Sequence, residues 1–332
     1  MDEKSNSEVL VSVLCLAYNH EKYIRQTLEG FVMQKTDFRY EVIVHDDAST
    51  DETARIIREY AEKYPELITA IYQKENQRSQ KISIWKNHVN HRIRGRYVAL
   101  CEGDDYWTSE EKLQKQVRTM ENNPSCAMCV HKIQEVKADG SPTPVFRPSA
   151  EIQEGIVDLQ QFLYIRHRYP FQTASYFMLT DLWLQFTNDP PPFKKVISVG
   201  DEPMLLFMAA HGDIYYLQEC MSAYRTFSEG SWSASNKRDY RKRQKKVQDT
   251  YHMMQLFAEF TNHQYDYRLD WYEAHALWVA EEYRTLAGKE KRHLLKQLTF
   301  KNQVFALLSA YFPFFGTIRK TMLKILLPGG RK

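Results

Sequence analysis

Glu102, Gly103, Asp104 and Asp105 stand in succession near the middle of the chain and have the composition of a cation site. Three carboxylates within four positions repel one another, and the arrangement becomes favourable when a hard divalent cation sits among them. An aspartate pair taken alone is as readily a helix cap or a solvated turn, and Asp105 or Thr108 can cap a helix beginning near Glu110. Asp46 and Asp47 form a second acidic pair. In the same stretch Ser49 or Thr50 can cap the following helix, and Asp51 and Glu52 complement its positive end, which leaves the first two aspartates without a local structural task. Asp201 and Glu202 form a third pair, after Gly200 at the head of an apolar helical stretch, where a carboxylate has an electrostatic reason to be ionised and the plain alternative is a helix cap.

Such residues need elements to position them. Residues 9–17, VLVSVLCLA, are a near-continuous β-prone run that stops at Tyr18-Asn19 before a helix-period segment over 21–33, whose Ile24, Leu28, Phe31 and Val32 share a core-facing side. Further strands are expected over 40–44, 68–72 and 96–101, with a helix over 83–94. The 96–101 run has no polar face, which suits a central parallel strand covered on both sides. The alternation predicts an α/β fold with a doubly wound, mostly parallel sheet sandwiched by helices, and open sheets of this kind bind ligands at the carboxyl ends of their strands. The first two acidic groups fall at such ends. Beyond residue 130, residues 135–148 with Asp139-Gly140 and three prolines suggest a hairpin or surface loop, and 169–178 a loop entering an apolar strand.

At 332 residues with 43% hydrophobic and 26% charged residues, the chain can bury one large core or one domain with a helical annex. A formal net charge of +3 argues against nucleic acid as partner, although the basic excess lies largely after Arg225 and points to an acidic surface there. Cys126 and Cys129 form a CxxC without a second pair and within an apolar strand-like stretch, so buried thiols are expected rather than a metal site. Five cysteines, an odd count without metal-ligand spacing, and no leader-like segment lead us to expect a reducing, cytoplasmic compartment. No apolar run approaches the roughly 18 residues of a membrane span.

Three stretches in order, VSVLCLAYNHEKYIRQTLEGFVMQ, YEVIVHDDASTDETARII and GRYVALCEGDDYWTSEEKLQKQV, resemble the successive signatures of family-two glycosyltransferases with the GT-A nucleotide-sugar fold. The match is close over 9–130 and looser over 171–233, and several coupled motifs in order are far more specific than any one. The resemblance implies a catalytic domain over 1–235 and a helical region over 236–332. It implies that Leu16, Ala17 and Tyr18 line the base pocket and that Asp47, with Asp46, accepts a hydrogen bond from the base. Glu102, Gly103 and Asp104 would be the DxD-type motif, with Asp104 the direct ligand of Mn²⁺ or Mg²⁺ on the donor diphosphate. Glu102 replaces the usual first aspartate, and its longer arm would contact ribose or reach the metal through water; Asp105 would be a second ligand or an acceptor contact. Asp201, ahead of Glu202, would be the general base that takes the proton of the acceptor hydroxyl, with inversion at the anomeric centre. Thr173 and Ser175 would face the acceptor, ordinary strand hydroxyls being the alternative.

In AYRTFSEGSWS, Phe227 stands where relatives show a histidine, while Arg225, Ser231 and Trp232 become candidates for diphosphate or lid contacts; Arg225 is equally an ion-pair partner at a strand end. The resemblance implies a nucleotide-sugar donor, most readily a UDP-sugar, and a carbohydrate acceptor, lipid-linked in the manner of bacterial surface glycan assembly. From Asn236 the chain turns basic, and 300–327 mixes Phe305, Tyr311, Phe312, Phe314 and Phe315 with Lys301, Arg319, Lys320 and Lys324. This describes an interfacial helix, broken near Pro313, on an anionic membrane at the inner face of the cell. A hairpin packed on the catalytic domain or a homodimer contact is the competing reading.

Overall fold

In the computed structural model the described residues are 8–148, 152–165, 171–197, 200–226 and 240–264, with isolated helical positions between 291 and 311. The chain divides into two compact units, Met1–His263 and Gln264–Lys332, and of the second only those isolated positions are described. Phe227, Ser231, Trp232 and most of the aromatic-basic stretch lie outside the described residues.

The first unit is built on one ten-stranded sheet. Its strands are β1 (Val9–Ala17), β2 (Arg39–Asp46), β3 (Ile68–Tyr72), β4 (Tyr97–Leu100), β5 (Tyr106–Trp107), β6 (Cys126–Val136), β7 (Pro142–Arg147), β8 (Gly155–Val157), β9 (Phe177–Leu179) and β10 (Asp213–Arg225). The order is β3-β2-β1-β4-β9-β6-β10-β5, with β7 beside β6 and β8 beside β10. β3, β2, β1 and β4 run parallel, as β6 and β10 do, while β9 lies antiparallel between β4 and β6. The helices are α1 (Ile24–Val32), α2 (Thr53–Lys63), α3 (Lys112–Asn122), α4 (Leu159–Ile165), α5 (Thr180–Asn188), α6 (Pro192–Lys195), α7 (Asp201–His211) and α8 (Tyr240–Phe260).

The core follows from strand alternation. Val11, Val13, Cys15 and Ala17 of β1 join Val42 and Val44 of β2 and Tyr97 and Ala99 of β4 on one face, under Ile24, Leu28 and Phe31 of α1, Ile57 of α2 and Leu113 and Val117 of α3. The alternate residues Leu14, Ile43, Val98 and Leu100 are equally buried, so both faces of the central strands are covered, as an apolar run without a polar side requires. Cys126 and Cys129 are buried free thiols on β6, and with a register shift against β10 between them both join the same core. On the far side α8 closes over α6 and α7 through Phe193, Phe257 and Phe260.

Local structure departs from expectation in two places. Residues 83–94 are not a regular α-helix but a wide π-turn, Trp85–Val89, followed by a 3₁₀ turn, Asn90–Arg92. The buried Asn90 donates to Thr187 Oγ1 and Asn188 Oδ1 and accepts from Trp183 Nε1, while Trp85 meets Trp183 edge-on, and the uneven winding keeps both residues on α5. At α2 and α3, neither Ser49, Thr50, Asp105 nor Thr108 caps the helix by a side-chain bond: Asp51 Oδ1 accepts from Thr53 N–H, and Ser109 Oγ from Glu111 N–H.

The entry to β4 is fixed by a polar knot in which Ser12 and Glu41 are buried and Arg94 reaches in from the surface. Ser12 Oγ donates to Glu41 Oε1 at 2.6 Å and accepts from Gly95 N–H at 2.9 Å, while Arg94 Nε donates to Glu41 Oε2 at 2.7 Å. Gly95 passes so close to β1 that a Cβ there would stand 2.5 Å from Ser12 N and 2.8 Å from Val11 Cα. Because those neighbours are backbone, Gly95→Ala should displace β4 and destabilise the protein by about 2–4 kcal/mol. Urea unfolding checks this, and a loss under about 0.5 kcal/mol would mean that the strand pair has slack.

Candidate active site

The acidic residues meet where β1, β2 and β4 end. Parallel pairing places Ala17 opposite Asp46 and Leu14 opposite Leu100, so the loops after the three strands are neighbours. Gly103 N–H donates to Leu16 O at 2.9 Å and Asp47 N–H to Ala17 O at 2.9 Å, which sews the β4 and β2 loops to the β1 end. Gly103 is required there by space: a Cβ would stand 2.7 Å from His20 Nδ1 and 3.1 Å from Leu16 O. Leu16 is half-buried, Ala17 buried and Tyr18 44% exposed, which makes Tyr18 the aromatic rim.

The β1 and β2 loops hold each other by reciprocal bonds. Asn19 N–H donates to Ser49 Oγ, Thr50 N–H to Asn19 Oδ1, His20 N–H to Thr53 Oγ1 and Glu21 N–H to Asp51 Oδ2. Asn19 and Ala48 both take positive φ, 55° and 61°, a conformation that Asn tolerates and Ala adopts only under outside constraint. Asp46 and Asp47 divide the work differently from expectation. Asp47 Oδ1 accepts from Gln77 N–H at 2.7 Å and Oδ2 from Arg78 N–H at 3.1 Å, so its carboxylate folds the following loop over this end of the sheet. Asp46 Oδ2 accepts from Ser49 N–H, whereas its buried Oδ1 has no hydrogen-bond partner. Burial raises the Asp46 carboxyl, with the charges of Asp51 and Asp47 adding to it.

Within the carboxylate loop the side chains face different ways. Glu102 is solvent-accessible, Asp104 half-buried and Asp105 buried. Glu102 sits low in the cleft, with protein around it and its end open to solvent. Its carboxyl is pushed up to about 8 by those surroundings and by the charges of Asp104 and Asp201, with Arg78 opposing. Asp201, exposed at the first turn of α7, therefore acts on the same space as Glu102 although it arrives from the other half of the sheet. Asp105 looks inward. Its Oδ1 accepts from Arg225 N–H at 2.8 Å, its Oδ2 has no hydrogen-bond partner, and burial with the charges of Asp104 and Glu102 holds the carboxyl well above the usual range.

Arg225 is 3% exposed and grips the loop from behind. Nε donates to Asp104 O at 2.8 Å, Nη2 to Gln26 Oε1 at 2.9 Å, and Nη1 reaches Lys137 O and Ala138 O at 3.4 and 3.3 Å; the guanidinium lies over Tyr23 and Tyr106 at 4.6 and 5.4 Å from the ring centroids. Of the two roles open in sequence, strand-end anchor and diphosphate contact, the geometry fits the first, because protein acceptors already take its fork. Thr27 completes the support, its Oγ1 lying 2.6 Å from Asp105 O and 3.0 Å from Gly103 O. Ser175 is buried and donates to Gln172 O inside a 3₁₀ turn, Thr173–Ser175, so its hydroxyl is internal rather than turned to an acceptor.

His20, Gln26 and Thr27 lie inside the first signature stretch without being singled out there, and Arg78 lies outside all three; Thr27 reads in sequence only as a polar interruption on the buried face of α1. The residues present suit a divalent cation. Glu102, Asp104 and Asp105 gather like charge in one loop, a repulsion that a cation would relieve. Among the described residues no group of three or more His, Cys, Asp or Glu could hold an ion alone, so a cation on Asp104 and Glu102 would complete its shell with phosphate oxygens and water, the usual habit of Mg²⁺.

The family model for glycosyl transferase family 2 matches residues 12–179, from β1 through β9. This chain is a member of glycosyl transferase family 2. It is 33% identical over 236 residues to an uncharacterized protein of Mycobacterium tuberculosis, covering 68% of this chain and 61% of that one. The chain thus spans about three fifths of the length of the mycobacterial relatives it matches. It is 35% identical over 142 residues to the putative teichuronic acid biosynthesis glycosyltransferase TuaG of Bacillus subtilis, covering 43% of this chain and 54% of TuaG. Among solved structures, residues 1–349 of Staphylococcus aureus TarS, crystallised with UDP-GlcNAc, superpose with a TM-score of 0.58 at 18% identity, covering 95% of this chain and 91% of that one. At that identity the likeness is one of fold, and it establishes the GT-A architecture.

If Arg225 is the anchor, Arg225→Lys should lower stability by about 2–4 kcal/mol, since one ammonium cannot meet the acceptors that the fork serves around a buried carboxyl. Urea unfolding beside nucleotide titration checks this. Wild-type stability with weakened nucleotide binding would return Arg225 to the diphosphate.

Proposed function

We propose that this chain is a metal-dependent, inverting glycosyltransferase that moves a sugar from a nucleotide-diphosphate donor, a UDP-sugar, to a carbohydrate acceptor. The observation that carries this reading is the placement of Glu102 and Asp104 in the loop beyond β4, beside the ends of β1 and β2, with Asp201, exposed at a helix amino end, within electrostatic reach of Glu102. UDP as the nucleotide is supported by the fold shared with TarS, which was solved with UDP-GlcNAc.

In this reading Tyr18 packs on the base, with Leu16 and Ala17 behind it. Asp46, whose Oδ1 lacks a protein partner, accepts from the base in preference to Asp47, whose oxygens hold the 77–78 backbone. Asp104 binds the cation directly and Glu102 directly or through water; the cation would neutralise charge on the departing diphosphate. Asp201 takes the proton from the acceptor hydroxyl as that oxygen attacks the anomeric carbon from the face opposite the nucleotide, so the new bond has inverted configuration. Glu202, half-buried one position on, is the reserve candidate. The similarity to TuaG, a putative teichuronic acid biosynthesis glycosyltransferase, supports a polysaccharide as the product. Among the described residues no helix is long and apolar enough to cross a membrane. From the sequence of the aromatic-basic region we propose a lipid-linked acceptor and peripheral binding at the inner membrane face, with a homodimer contact the other use of that region.

Two substitutions separate the roles. Asp104→Ala should abolish the Mn²⁺-dependent rise in melting temperature that UDP gives by binding the folded state; an unchanged shift would move the cation elsewhere. Asp201→Asn should leave that shift intact and lower transfer by about 10²–10⁴-fold, the span of a lost general base, in a radiolabelled UDP-sugar assay. Near-normal turnover would hand the role to Glu202.

A further inference from the structure

Beneath the carboxylate loop lies a polar group that the reaction above does not use. Lys112 and Gln116, one turn apart on α3, are both 0% exposed. A buried ammonium is unfavourable unless its donors are engaged. Lys112 Nζ donates to Gln116 Oε1 at 2.6 Å and stands 4.1 Å from the centroid of the Trp107 ring, and burial pulls the amine down to about 7. His131, also fully buried, is held well below its ordinary range by burial and by the Lys112 charge.

Lys112 donates to one end of the Gln116 amide, and the carbonyls on the other side can only accept, so the orientation of the amide is fixed. The Gln116 NH₂ is thereby turned outward from α3, where Nε2 donates to Ser175 O at 2.9 Å and to Cys129 O at 3.4 Å. Trp107 reaches the same turn independently, its Nε1 donating to Ala174 O at 3.1 Å. Trp107 itself follows Asp105 and Tyr106, so it moves with the carboxylate loop. The Thr173–Ser175 turn leads into Tyr176, whose carbonyl accepts from Leu100 N–H at 3.0 Å and whose phenol is raised by burial and by the charges of Asp201, Glu102 and Glu202. One end of this network is thus the loop that carries Asp104, and the other is the turn leading into Tyr176, which lies within electrostatic reach of Asp201 and Glu102.

We propose that Lys112, Gln116 and Trp107 are positioning residues that brace the Thr173–Ser175 turn against the carboxylate loop, and that this brace decides whether the donor sugar passes to an acceptor hydroxyl or is lost to water. The proposal rests on the glycosyltransferase reading given above. Donor and acceptor are held by different segments, and a displacement of about 1 Å between reacting groups costs on the order of 100-fold in rate. Water needs no such alignment, so loosening the brace penalises transfer more than hydrolysis.

Gln116→Glu is the informative substitution. Glutamate accepts from Lys112 as glutamine does but has no N–H for Ser175 O, so shape and the lysine contact persist while the tie to the turn is cut. In full-length protein with Mn²⁺ and UDP-GlcNAc as the donor probe, we expect UDP affinity within about twofold of wild type and donor hydrolysis within about threefold, with transfer lowered by about 100-fold. Trp107→Phe keeps an aromatic ring at this position but removes the donor to Ala174 O together with part of the buried indole, and it should give the same split even if the first variant folds poorly. Transfer at the wild-type rate in either folded variant overturns the brace, as does a fall in transfer, hydrolysis and affinity by one common factor, the mark of a purely structural role. Wild-type protein that binds no nucleotide with or without Mn²⁺ would overturn the glycosyltransferase chemistry proposed above, a result distinct from an unsplit variant.

Discussion

The structure depends on a guanidinium placed behind a negatively charged loop. Glu102, Asp104 and Asp105 end a buried strand, and three carboxylates in that position would drive the loop apart unless something in the protein held it. Arg225 does this without occupying the cleft. Its backbone N–H takes the inward oxygen of Asp105 and its Nε takes the carbonyl of Asp104, so charge and geometry are both satisfied from the rear. The front, where Glu102 opens to solvent, is left acidic. In the proposed reading a diphosphate would be met there by a cation rather than by Arg225, whose fork is already taken up at the rear.

The sequence made the strand ends legible and the loops much less so. β1 and β3 fall where their apolar runs lie, and every acidic group singled out sits at an element boundary, because strand length and burial leave few other places for a charged side chain. The tasks of individual residues inside those loops depended on contacts made across 30 positions or more. Asp47 reads as a ligand-binding carboxylate until Gln77 and Arg78 return to it, and Ser49 reads as a helix cap until Asn19 claims its hydroxyl. Thr27 and Gln26 lie on a helix whose periodicity announces only packing. Their importance arises because the carboxylate loop and Arg225 are brought against them from positions 103–105 and 225.

Polar groups in this domain are satisfied to different degrees. The buried Ser12 and Glu41 close a knot with the exposed Arg94 in which each polar atom named has a partner, and such a knot specifies one strand register at little risk. His20 Nδ1, Asp46 Oδ1 and Asp105 Oδ2, in the strand-end loops, are buried without hydrogen-bond partners, as are His45 Nδ1, His131 Nε2, Tyr216 Oη and Ser222 Oγ in the strands. Leaving a buried polar atom unsatisfied costs roughly 1–3 kcal/mol. In the strand-end loops that cost is of the kind a polar ligand would recover.

The strand-end loops and the turn before β9 are held by different kinds of tie. The loops after β1 and β2 are joined by reciprocal bonds among Asn19, Ser49, Asp51 and Thr53, and the loop after β4 by the close approach of Gly103 to β1 and by the Arg225 anchor. The Thr173–Ser175 turn is reached from α3 and β5 by side-chain bonds, Gln116 Nε2 to Ser175 O and Trp107 Nε1 to Ala174 O. In the proposed glycosyltransferase reading the first set would fix the donor and the second would support the acceptor wall, so that either could be altered without the other. That reading places on Lys112, Gln116 and Trp107 a burden that their burial in the core conceals.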